Sequence, residues 1–174
     1  MKQLLVIAFL LIAFHASHAQ EGHCPKIPEN YSWETAEDYR KDKDLVKKTL
    51  RWLCSTPLGV DIEKRGLANA YVLEWLAGSP SITVDIKTEH LPFLEHHPDL
   101  LYSFIHGIAL YLMDKPTETD TVKLYAKGFE VVATLAMQSK ELSHDKDFKP
   151  LIKAYKKERM MEFVRQTLEQ NEKI

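Results

Sequence analysis

Apolar residues recur along this chain at helical spacing. Val46, Leu50, Leu53 and Cys54 fall on one face of a helix that Asp42 or Asp44 can cap and that Thr56, Pro57 and Gly59 end. Asp61 is placed to cap a second helix, whose stripe of Ala68, Tyr71, Val72, Trp75 and Leu76 follows the amphipathic template. Gly78 is suited to the left-handed position that closes such a helix, and Pro80 cannot continue it. Residues 82–86 then change period. Ile82, Val84 and Ile86 alternate with Thr83 and Asp85, but no second strand pattern exists to pair with them. They read as an extended crossover laid on the helices, beside the proline-bearing lead-in of residues 25–28.

Pro92 and Pro98 bracket a short helical turn, and Pro98 opens the most apolar stretch of the mature chain, residues 99–113. Its apolar positions cover nearly every face, the mark of a buried helix, which puts it at the centre of a bundle. Gly107 within it costs up to about 1 kcal/mol against alanine, and close helix approach is the usual compensation. Thr117 and Asp120 have capping-box spacing for the next helix, which buries Val122, Tyr125, Phe129, Val132, Ala133 and Ala136. A polar link over residues 139–147 leads to a last helix with Phe148, Leu151, Ile152, Tyr155, Phe163 and Leu168 inward and Pro150 in its first turn. The expected fold is all-α. It is a single bundle of about five main helices over residues 33–174, for which stacked TPR-like hairpins are one arrangement, after an extended lead-in over residues 20–32.

The first nineteen residues stand apart from this pattern. Lys2 precedes an unbroken apolar run over residues 4–14, and Ser17 and Ala19 are small residues at the positions a leader peptidase reads. This is the layout of a cleavable secretory signal, too short to be a spanning helix, which needs about 20 apolar residues. His23, large and polar before Cys24, argues against lipid modification. Cleavage after Ala19 leaves residues 20–174. Lys2 is the leader's only charge, so the formal net charge moves from −2 to −3. So mild a balance points to neither nucleic acid nor an anionic membrane as partner, and no other segment is apolar enough to span a bilayer. Export also places Cys24 and Cys54 where a disulfide can persist. The spacing alone leaves that bond and a buried Cys54 thiol equally open.

Candidate chemistry is sparse. His90, His96, His97 and His106 lie close in sequence, with Glu89, Glu95 and Asp99 among them, and histidine with carboxylate is the ligand set of a zinc or copper site. No two of these histidines have the spacing of a helical metal motif, and solvated or structural histidines, with His106 in the core, are the commoner reading. Phosphate-loop and nucleophile-elbow patterns do not occur, and the lysines at 149, 153, 156 and 157 share their helix with Glu158, Glu162 and Glu169, which reads as a solvated face rather than a basic surface for an anionic partner. Trp33, Trp52, Trp75 and Tyr111 are candidates to line a ligand groove, with Trp52 out of phase with the apolar face of its helix and core packing the better reading of Trp75 and Tyr111.

Residues 68–86, reading Ala-Asn-Ala-Tyr-Val-Leu-Glu-Trp-Leu-Ala-Gly-Ser-Pro-Ser-Ile-Thr-Val-Asp-Ile, resemble a family of exported helical proteins of Bacteroidota with no known activity. The likeness extends to the helix after Pro98 and to the charged C-terminal helix. It implies an all-helical fold and a periplasmic address, and it brings no catalytic residues and no cofactor. The functional expectation is therefore a non-enzymatic exported protein that binds an envelope protein or a small ligand through a helical groove. The alternative is a metal-binding protein or metal-dependent enzyme using His90, His96, His97 or His106. Intact mass of the exported protein, with and without reductant, is expected to place the mature N-terminus at Gln20. A mass that retains residues 1–19 contradicts the cleavage.

Overall fold

The computed structural model describes residues 23–171, so the leader expected over residues 1–19 lies outside the described residues. Six α-helices and no strand occur among them. Helix α1, Ala36–Ser55, begins at a reciprocal capping box. Thr35 Oγ1 accepts the Asp38 amide at 3.3 Å, and Asp38 Oδ2 accepts the Thr35 amide at 2.9 Å. Two donors that every helix start leaves unpaired are thereby satisfied. The helix thus starts ahead of Asp42 and Asp44, the caps its apolar pattern suggests. Asp42 instead accepts the Trp33 indole N–H at 2.9 Å and the Tyr71 hydroxyl at 3.3 Å. This fixes the lead-in across the first two helices, where Tyr31 stacks on Trp33 and meets Tyr71 edge-on.

Helix α2, Ile62–Gly78, follows Asp61, which takes a left-handed conformation and pairs with Lys64 without capping through its side chain. Gly78 does not take the left-handed form, and no described glycine has positive φ. Its role is proximity: a Cβ there would overlap the hydroxyl of Tyr39 on α1. Trp52, out of phase with the apolar face of α1, is nonetheless only 5% exposed, within the core cluster and with the Arg65 guanidinium 5.5 Å from its ring centroid. Arg65 in turn donates to the carbonyls of Leu53, Thr56 and Pro57 at the end of α1. A cation there complements the negative end of the helix dipole.

Helices α3, Leu100–Asp114, and α4, Thr121–Gln138, form the most extensive helix pair. Asp120 itself caps α4, its Oδ1 accepting the amides of Val122 and Lys123 at 2.9 and 3.2 Å, so Thr117 stands outside the cap. The pair closes on glycine. A Cβ on Gly107 of α3 would overlap the Lys127 carbonyl oxygen and lie 2.9 Å from the Cα of Gly128 on α4. One built on Gly128 would lie 2.6 Å from the Phe104 ring.

The hub of the bundle is α4, which touches α1, α3 and the two C-terminal helices. Those are α5, Lys149–Lys156, and α6, Met160–Asn171, which the apolar period alone reads as one. The break is a Schellman turn without glycine. The Arg159 amide donates to the Ala154 carbonyl at 2.9 Å and the Glu158 amide to Tyr155 at 3.0 Å, with Glu158 at φ 56°.

Against α2, α3 makes at most marginal contact, and residues 82–87 run extended along the gap between them. Ile82 is buried while Thr83, Asp85 and Lys87 face solvent. The lead-in does not lie beside this segment through any backbone hydrogen bond. The segment is tied down by its last amide, Lys87 N–H, which donates to the Tyr125 hydroxyl on α4 at 2.8 Å.

Overpacking predicts that Gly107→Ala destabilises by about 1–3 kcal/mol, although alanine is the better helix former. Gly66 is the control, since a Cβ there would meet no atom within 4 Å. Gly66→Ala is expected to stabilise by about 0.5–1 kcal/mol. Urea midpoints of the two variants read the difference directly, and a stabilised Gly107→Ala contradicts the close contact.

Candidate functional site

Two features offer chemistry at the surface. The larger is an open groove of about 590 Å³ between α2, the extended segment and α3. Leu73 and Leu76 supply one wall, and Leu101 and Ile105 the other. Ile82, Val84 and Ile86 present the extended segment along it. Leu101 and Ile105 belong to the apolar surplus that marks residues 99–113 as a helix enclosed on all sides. In the structure they line the groove, and the neighbouring Tyr102 is 46% exposed. The surplus on α3 is therefore a half-open face.

The extended segment contributes more than side chains. No backbone hydrogen bond within the described protein engages the amides or carbonyls of residues 82–86. Water satisfies such groups on an exposed segment, and a bound chain in extended geometry can replace it. Asp85 and Thr83 stand at the polar margin. None of the four aromatic candidates lines this groove. Trp33 packs in the lead-in, and Trp52 sits under Arg65. Trp75 is buried with its N–H on the Tyr39 carbonyl, and the Tyr111 hydroxyl donates to Glu118.

The second feature gathers part of the histidine group. His96 Nδ1 lies 2.8 Å from Asp147 Oδ2, and His97 Nε2 lies 3.1 Å from Asp145 Oδ2. The Asp147 amide, donating to Asp145 Oδ1 at 2.9 Å, holds the Asp145 carboxyl below its usual range, with His97 adding to the effect. The two aspartates lie in the polar link before α5, which sequence spacing cannot bring to a histidine some fifty residues earlier.

His90 and His106 lie elsewhere. His90 is buried in a single turn of 3-10 helix, Thr88–His90, edge-on to Tyr125. His106 is enclosed in α3, with no hydrogen-bond partner at Nε2. Cys24 and Cys54 are free thiols in this structure, both close enough to Arg65 to feel its charge, and burial pushes the Cys54 thiol up to about 12.

Burial, helped by the charge of Arg65, pushes His106 down to about 3, so the folded protein holds it neutral. The unfolded chain protonates it near pH 6.5, so its stabilising effect is complete above that pH and is lost as pH falls toward about 3. From pH 7.5 to 5 the loss is about 2 kcal/mol. The unfolding free energy of His106→Leu is expected to fall by that much less than wild type over the same interval. Equal losses in urea titrations of the two proteins contradict the buried neutral state.

The chain matches no protein-family model, no curated protein and no solved structure.

Proposed function

We propose that this protein is an exported, non-enzymatic binding protein whose groove takes an extended apolar segment of an envelope polypeptide. The observation that carries the reading is the row of unengaged backbone groups at residues 82–86, set along an open apolar trough. Strand addition supplies affinity through main-chain hydrogen bonds, and pockets for alternate side chains supply selectivity. The alternation of Ile82, Val84 and Ile86 with Thr83 and Asp85 sets up that geometry on the receiving side. The groove's volume lies within the range of binding sites, and its open form suits a chain passing through better than a small molecule enclosed on all sides.

The address belongs to the same proposal. It rests on the charged, apolar and small-residue succession of residues 1–19, and the likeness to exported Bacteroidota proteins favours the periplasm. No described helix is long and apolar enough to cross a membrane.

Phage-displayed random peptides, selected against residues 20–174, provide the test. Selection is expected to enrich peptides with alternating apolar residues. Synthetic copies are expected to bind Ile105→Arg at least tenfold more weakly than wild type, as a buried charge on the groove wall requires. Failure to enrich any sequence, or equal binding to the variant, contradicts the proposal.

A further inference from the structure

The side chains around His97 converge on one another. We propose that His97, Asp145 and Asp147 form a site for a borderline divalent cation of the zinc class, with His96 as a positioning residue. One ligand atom from each of the three lies within 4.8 Å of the others, and all three residues are partly shielded from solvent. Ligand atoms around a tetrahedral zinc stand roughly 3.4 Å apart, given bonds near 2.1 Å, so small side-chain rotations close the set. Among the described residues no other group of three histidine, cysteine or acidic side chains converges in this way.

Each carboxylate is held by one oxygen and offers the other. Asp145 Oδ1 accepts the Asp147 amide at 2.9 Å, which leaves Oδ2 turned to His97 Nε2 at 3.1 Å. A cation between these two atoms takes the place of the shared proton, with the imidazole neutral. Asp147 Oδ2 meets His96 Nδ1 at 2.8 Å, which leaves its Oδ1 for the ion. A partner on the far oxygen is how ligating carboxylates are commonly oriented. Two carboxylates balance a divalent charge, and the imidazole nitrogen selects zinc-like ions over magnesium or calcium. Three protein ligands leave a fourth position for water.

The supports are packed into the core. The His97 ring packs against Phe148 with centroids 4.9 Å apart, and Phe148, fully buried, packs against Phe93 at 6.1 Å. The ion would thus join the 3-10 turn Pro92–Glu95 and its continuation to the segment that leads into α5. The competing account is that the two histidine–aspartate pairs join these segments without any ion.

The test uses untagged protein, residues 20–174, stripped with chelator and titrated with zinc. Calorimetry and elemental analysis after gel filtration are expected to find a single zinc per chain, undisturbed by excess magnesium. Asp145→Asn keeps the oxygen that accepts the Asp147 amide but loses the anionic ligand, and is expected to bind at least tenfold more weakly. His97→Ala is expected to lose the site, His96→Gln to weaken it, and His23→Ala, on an exposed residue, to leave it intact. Zinc should raise the melting temperature of wild type and not that of Asp145→Asn. Substoichiometric zinc, or wild-type affinity in Asp145→Asn with its fold retained by circular dichroism, overturns the proposal.

Discussion

Two helices of this protein meet backbone to backbone, and the rest of the bundle is arranged around that meeting. Gly107 lies against the Lys127 carbonyl and the Cα of Gly128, at a separation that admits no side chain on either glycine. The approach seats Phe104 over Gly128 and sets its ring edge-on to Tyr125 and Phe129, 5.2 and 5.0 Å away. Such pairs contribute about 0.5–1.5 kcal/mol each beyond the area they bury. From this cluster two lines of contact lead to the surface. The Tyr125 hydroxyl anchors the end of the extended segment at Lys87. Phe93 bridges Phe129 and Phe148, and Phe148 supports His97. The groove and the histidine–aspartate cluster are thus both positioned by one close helix pair.

The same packing explains why the groove stays open. Helix α3 turns its glycine face to α4 and also packs against α1, and Leu101 and Ile105, only partly buried, line the groove. Helix α2 is drawn toward α1 by the fit of Tyr39 at Gly78 and by Arg65 at the end of α1. Among the described residues, the segment 82–87 runs along the gap between α2 and α3, with no backbone partner over residues 82–86. Apolar walls beside an unpaired extended chain favour a partner that brings both apolar side chains and main-chain groups.

Much of the helical framework was legible in the sequence because burial imposes a period that side chains must obey. The stripe from Ala68 to Leu76, the apolar positions of residues 99–113 and the strand-like alternation at residues 82–86 all reflect that constraint. Helix ends were less legible, since a cap depends on which of several acidic residues wins the amides. Asp38 and Asp120 do so, and Asp42 is recruited by two aromatic donors instead. The break between α5 and α6 carries no glycine, so it left no signal. His96 and His97 stood out as candidate ligands, but their partners at 145 and 147 are joined to them only by tertiary packing through Phe148. The apolar surplus of residues 99–113 was visible, while its meaning as a groove wall depended on where α2 came to rest.

Residues 82–86 present unpaired main-chain groups to whatever enters the groove. Residue-resolved hydrogen exchange of the free protein tests this most directly. The amides of residues 82–86 are expected to exchange at close to unprotected rates, while the Lys87 amide, held by Tyr125, exchanges more slowly. Strong protection across residues 82–86 in the free protein would contradict it, because those groups would then already have partners.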